Sequence, residues 1–272
     1  MATPIFGLNI VNPQSHSTLS QKPARVAFLS LAGDQGCEES ILGLDDRLLD
    51  MLGLIELVSW PLLDGLDVPD EFDIAVIEGA VCTRAQAERL LAARASASVI
   101  IAIGACALTG GIPALSSTNA SLESDAVLSP ESVSSLPEFF TARSVSSFIS
   151  VDYTVPGCPV NATEFVSVLQ RALRGMRPDR EAPTMCGSCR LNERGCLLDS
   201  GIPCLGMVTS DGCGAVCCEA GTACVGCRGV SPSANLVSAR ECVVSYTGDG
   251  CAFDELLRIF NSPSLVSRED VR

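Results

Sequence analysis

Histidine is almost missing from this chain: His16 is the only one in 272 residues. Aromatic residues make up 4%, with one Trp and two Tyr, and basic residues are outnumbered 18 to 32, a formal net charge of −14. Each scarcity excludes something. With its one imidazole in the N-terminal tail, a mixed Cys/His zinc site is ruled out in practice. A strongly acidic chain lacks the phosphate-neutralising patch that binds nucleic acid and does not dock on an anionic membrane surface. No apolar run approaches the roughly 18 residues of a membrane span. No GxGxxG follows the first expected strand and no GxxxxGK[ST] occurs, so a dinucleotide or nucleoside triphosphate site has no support. Residues 1–24 show no basic region followed by an apolar stretch and no twin-arginine pair, which points to a flexible tail and a cytoplasmic protein.

What the chain has in excess is cysteine. Nine of its fifteen fall between Cys186 and Cys227, and six are scattered. A secreted disulfide scaffold is small and cysteine-dense from end to end, so this asymmetry points to a metal or cluster module joined to an ordinary domain. In the cytoplasm thiols stay reduced and free to bind metal.

Residues 25–31, 54–60, 73–81, 98–105 and 147–155 read as strands. Between them, 38–52, 84–95 and 163–174 carry helical spacing, the last capped by Thr163. The segment 107–145 is Ser-rich and loop-like, with a short helix near 131–140. Strand–helix alternation of this kind gives a flavodoxin-like doubly wound α/β domain, strand order 2-1-3-4-5, over 25–180. A small Cys-rich module over 181–230 follows, then an extension over 231–272 with one short helix at 252–260. The module has too few apolar residues to build a core, so metal sites must hold it.

The scattered cysteines follow strand ends. Asp34 and Cys37 come after the first strand, Cys82 after the third, Cys106 after the fourth and Cys158 after the fifth. In an open parallel sheet all these ends share one edge, where ligands bind. Soft thiolates there select zinc, copper(I) or an iron–sulfur cluster. In the module, two CxxC pairs, Cys186–Cys189 and Cys224–Cys227, each bring two sulfurs to one centre. Eight ligands serve two four-ligand centres and leave Cys218 spare; Cys242 and Cys251 read as buried or incidental thiols.

The runs GCEES at 36–40, EGA at 78–80, IGACALTGGIPAL at 103–115 and VPGCP at 155–159 resemble the small subunit of [NiFe] hydrogenases, as do the cysteine motifs between Cys196 and Gly229. The likeness is to the cytosolic branch: F420-non-reducing and sulfhydrogenase-type enzymes. The GAC and PGCP pair is also shared with the cluster-bearing subunit of the respiratory NADH:quinone complex, which lacks the cysteine module.

The resemblance implies three [4Fe–4S] clusters, with the nickel–iron centre in a separate large subunit. It assigns the proximal cluster to Cys37, Cys106 and Cys158, with Asp34 standing where the family's first cysteine belongs. It assigns Cys186, Cys189, Cys196 and Cys204 to one further cluster, and Cys213, Cys217, Cys224 and Cys227 to another. Asp34 and Cys82 compete for the fourth proximal position; an Asx-type turn or a helix cap is the plainer role for Asp34. The implied activity is electron relay from hydrogen oxidation in the large subunit to a redox subunit linked to flavin, heterodisulfide reductase or NAD(P). A relay subunit without hydrogenase activity and a zinc-stapled α/β binding protein are the alternatives.

Overall fold

The computed structural model describes residues 22–65, 69–115, 130–178 and 183–261. The expected tail lies outside this range except for its last residues, the first strand beginning at Ala24. Five strands, β1 (Ala24–Ser30), β2 (Ile55–Ser59), β3 (Ile74–Glu78), β5 (Val99–Ile103) and β7 (Tyr153–Val155), form one parallel sheet in the order β2-β1-β3-β5-β7. This is the expected flavodoxin-like order. Two short strands, β4 (Val81–Thr83) and β6 (Phe139–Arg143), pair antiparallel beside it.

Alternation along the strands sorts the core into two layers. Val26 and Phe28 face one side, with Ile41, Met51, Trp60, Phe165 and Leu169. Ala27 and Leu29 face the other, with Ala87, Leu90, Val133 and Phe148. β3 is buried at every position, as a central strand covered on both faces must be.

Several boundaries differ from the sequence expectation, each for a local reason. The expected helix 38–52 is two helices, Gly36–Leu42 and Asp46–Leu52, because Gly43 ends the first and Asp45 adopts φ +52°. The helix Ala162–Leu173 is capped by Asn161, whose side chain accepts from the Thr163 and Glu164 N–H groups; Thr163 is not its cap. The stretch read as loop-like contains helices Gly104–Thr109, Gly111–Ala114 and Pro130–Ser134 and the strand β6, while 116–129 lies outside the described residues.

The C-terminal extension holds two helices, Leu236–Thr247 and Gly250–Phe260, not one. They are tied by the Arg240–Asp254 pair at 3.0 Å and supply the apolar surface the cysteine module lacks. Ala239, Val243, Phe253 and Leu257 pack on Leu198, Leu205 and Val208. Cys242 packs at the edge of this core and Cys251 is exposed. No described helix is long and apolar enough to cross a membrane.

One side chain fastens the module to the sheet domain. Arg228, its side chain 3% exposed, donates to Glu164 through two nitrogens at 2.8 and 2.9 Å. It also donates to the carbonyls of Pro156 at 2.8 Å and Asp211 at 2.9 Å. Removing one partner of such a pair strands a buried charge. Arg228→Ala is expected to cost about 3 kcal/mol. The check is the thermal midpoint together with proteolysis, where module cleavage must rise before sheet-domain cleavage.

Candidate metal centres

The carboxyl end of the sheet is built from four strand ends. Beyond β1 the chain turns through Asp34, whose Oδ1 accepts the Gly36 N–H at 3.0 Å, and enters a helix carrying Cys37. Beyond β5, Gly104 starts the helix bearing Cys106; beyond β7, the loop presents Cys158. Asp34, Cys37, Cys106 and Cys158 line one cavity of about 50 Å³ with Glu78, Gly104 and Gly157. Residues more than a hundred positions apart in sequence therefore meet.

Gly104 shows how tight the assembly is. Its φ is +83°, and a Cβ there would stand 2.5 Å from Cys37 Sγ, so only glycine fits. At Gly111, φ +50°, a Cβ would stand 3.0 Å from Cys106 Sγ.

Cys82 lies apart. Its N–H and thiol both reach Gln86 Oε1, at 2.9 and 3.4 Å, and it packs with Ala80, Ala114, Ala142 and Cys106 outside the cavity lining. Asp34, the other competitor, makes the expected Asx-type turn and lines the cavity as well.

The cavity floor falls in the runs EGA at 78–80 and GCEES at 36–40, which carry the resemblance in sequence without assigning a role to Glu78 or Glu38. Glu78, at the end of β3, accepts the Cys37 N–H at 3.1 Å and the Glu38 N–H at 3.3 Å. Glu38 is fully buried and accepts from Trp60 Nε1 at 2.6 Å and Ser30 Oγ at 2.5 Å. Glu78 thus pins the start of the Cys37 helix, and Glu38, on that helix, ties it to Trp60 and Ser30.

Burial and mutual repulsion dominate the electrostatics. Burial, then Glu78, pushes the Cys37 thiol up. Burial, then Cys158, Asp34 and Glu78, pushes Cys106 to about 11. Cys158 is raised by burial, then Asp34 and Cys227. Backbone N–H groups oppose this, Val160 at Cys37 and Ile112 at Cys106.

The module cysteines divide into two neighbourhoods. Cys186 is pushed to about 11 by burial, then by Cys204, Cys189 and Cys196. Gly206 underlies this set, a Cβ there standing 3.4 Å from Cys186 Sγ and 3.6 Å from Cys204 Sγ. Cys227 is raised by burial and by Cys213 and Cys217, and is held by the Cys158 backbone N–H. Cys224 joins the neighbourhoods. Its N–H donates to Cys204 Sγ at 3.4 Å, its thiol bonds Thr209 Oγ1 at 3.4 Å, and Cys204 and Cys227 help burial push it to about 12. Cys218, read as spare, is buried against Cys189, Cys204 and Cys224.

Thiolates so placed repel one another, and a cationic centre bound by soft sulfur donors relieves that repulsion. Backbone N–H groups aimed at the sulfurs are the second feature such a centre uses. By donor chemistry the residues fit iron–sulfur centres. Among the described residues no group of three or more His, Cys, Asp or Glu is placed to hold a single metal ion.

Known proteins resemble this chain at three levels: family, sequence and fold. Residues 35–172 match the family described as "NADH ubiquinone oxidoreductase, 20 Kd subunit". A subunit of the F420-non-reducing hydrogenase of Methanocaldococcus jannaschii is 30% identical over 75% of this chain and 81% of that one. Sulfhydrogenase 2 subunit delta of Pyrococcus furiosus is 32% identical over 78% and 89%. In fold alone, the chain is similar to a solved [NiFeSe]-hydrogenase chain of Dm. baculatum, with a TM-score of 0.56 at 18% identity, covering 76% of this chain and 94% of that one.

Glu78 gives a pH prediction for the metal-free protein. Burial first, then Glu38, raises its carboxyl from 4.5 to about 7. The fold therefore favours the protonated form, and that stability, full below the unfolded value, is lost as pH rises through 7. Metal-free protein is expected to melt at a higher temperature near about pH 5 than near about pH 8, and Glu78→Gln to remove this part of the difference. A calorimetric pH series on both proteins checks it.

Proposed function

The chain belongs to the NADH ubiquinone oxidoreductase 20 Kd subunit family, among the hydrogenase subunits of the F420-non-reducing and sulfhydrogenase type, and from that membership we propose that it is the electron-transfer subunit of a cytoplasmic hydrogenase complex. The observation that carries the proposal is the meeting of Asp34, Cys37, Cys106 and Cys158 in one cavity, with the Cys158 backbone N–H beside Cys227 of the next cysteine set.

In this reading Asp34, Cys37, Cys106 and Cys158 hold a proximal [4Fe–4S] cluster. Cys213, Cys217, Cys224 and Cys227 hold the middle one, and Cys186, Cys189, Cys196 and Cys204 the outer one. Each cluster, when bound, accepts and passes on single electrons. The chain's own work is geometric and electrostatic. Glu78 fixes the Cys37 loop, backbone N–H groups solvate the sulfurs, and Arg228 sets the separation of sheet domain and module. The Cys158–Cys227 and Cys224–Cys204 contacts support an order in which the three sets stand in series.

A nickel-bearing large subunit is the proposed donor. Exposed Ile112 (47%), Leu115 (50%) and Phe139 (70%) lie on the elements next to Cys106, an apolar rim suited to a covering partner. A further redox subunit takes the electrons from the outer set.

Anaerobic purification of the complex tests the reading. A large subunit should co-purify, with nickel in it and iron for three clusters in this chain. Iron without nickel would turn the reading to a relay subunit of a hydrogenase-like complex. Asp34→Ala is expected to weaken or abolish the proximal electron paramagnetic resonance signal while Cys82→Ser leaves it; the reverse result assigns the ligand to Cys82. Stripping the iron should expose 183–230 to protease before 25–175.

A further inference from the structure

Thr209 stands on a backbone that is held from both sides. Its carbonyl accepts the Met185 N–H at 2.8 Å, its own N–H donates to the Leu205 carbonyl at 3.0 Å, and it forms an antiparallel bridge with Val230. A β-branched side chain on so fixed a backbone has few rotamers to choose from. Thr209 is 2% exposed, and its hydroxyl meets the Leu205 carbonyl at 2.8 Å and Cys224 Sγ at 3.4 Å. It lies against the loop between Cys224 and Cys227, where a Cβ on Gly226 would stand 3.8 Å from Thr209 Oγ1. Cys224 and Leu205 are buried as well.

The direction of the bond between these two side chains depends on the state of the thiol. In the metal-free protein the Cys224 S–H donates to Thr209 Oγ1, and the Thr209 O–H donates to Leu205. Binding to iron removes the thiol proton. The sulfur then only accepts, and the Thr209 O–H is within reach to donate to it. Turning the hydroxyl away from Leu205 strands nothing, because that carbonyl also accepts the N–H groups of Val208 and Thr209, both at 3.0 Å.

We propose that the Thr209 hydroxyl donates to the ligand sulfur of Cys224 and thereby raises the reduction potential of the cluster held by Cys213, Cys217, Cys224 and Cys227. The inference rests on the ligand reading above. A donor at a ligand sulfur offsets the negative charge that the sulfur gains on reduction, and hydrogen bonds to sulfur are one of the controls on cluster potential. Burial strengthens the bond. Thr209 acts only through Cys224, and the middle set accepts electrons more readily for it.

The test is a redox titration followed by electron paramagnetic resonance on the full complex, with iron counted in each variant. Thr209→Val keeps the shape of the side chain and loses the hydroxyl. Its iron content is expected to hold, with one cluster's midpoint moving to a more negative potential and the other two staying. That cluster must be the one whose iron Cys224→Ala removes. Thr209→Ser keeps a hydroxyl and is expected to return the midpoint toward the wild-type value. If the valine variant fails to assemble, the smaller Thr209→Ala takes its place and must show the same negative shift. Unmoved midpoints, or a serine variant shifted as far as the valine one, overturn the proposal. So does a common shift of all three midpoints, the mark of a general loss of packing. Cys224→Ala separates the two levels: if it leaves the iron and signals of all three clusters intact, the ligand reading itself has failed.

Discussion

Arg228 donates from all three of its guanidinium nitrogens, and its partners lie on both halves of the molecule. Glu164 and Pro156 belong to the sheet domain; Ser210 and Asp211 belong to the cysteine module. The next residue back is Cys227, whose thiol adjoins the backbone N–H of Cys158. One buried, fully partnered cation therefore fixes how far the cavity at the sheet edge stands from the next group of sulfurs. Arginine suits the position because its planar fork meets a carboxylate in two parallel bonds while a third nitrogen turns to carbonyls. A lysine, a single point charge on a flexible stem, would keep the charge and lose the geometry.

The second constraint is charge of the opposite sign. The sheet-edge cavity gathers three thiols and two carboxyl groups, and the burial that brings them together also pushes the thiols' proton affinities up. Such a site is at odds with itself as an empty pocket in an anionic state. It is settled when protonated or when it surrounds a positive centre, so folding, proton release and metal loading are one linked equilibrium. The module repeats this at two more neighbourhoods. It depends further on the helices Leu236–Thr247 and Gly250–Phe260, whose apolar faces give its few leucines and valines something to pack on.

Below the cavity, Trp60 stacks on Phe28 with ring centroids 4.0 Å apart while its Nε1 holds Glu38. The chain's only tryptophan links the apolar core to the carboxylates that position Cys37. Packing in one layer of the sheet domain thereby decides where a thiol sits at its edge.

Strand–helix alternation, buried strands and the count and spacing of cysteines are local properties, and the sequence determined them by itself. They were enough for the parallel sheet and its strand order, and the runs at 36–40, 78–80, 103–115 and 155–159 for the family. Neighbours in sequence were judged less well. The break at Gly43–Asp45, the cap at Asn161 rather than Thr163, and the helix Leu236–Thr247 depend on backbone angles and packing partners that spacing does not show. Which thiols meet was decided only in three dimensions. Asp34 lines the cavity and Cys82 does not, because Cys82 stands on the short strand β4, where Gln86 holds it aside. Cys218 passed as a spare residue in the sequence, yet a helical turn swings it away from Cys217 into another set of sulfurs. A linear pattern records how many ligands there are and how far apart along the chain. Their direction comes from the turn each side chain sits on, and their company from long-range packing that brings distant loops to one edge.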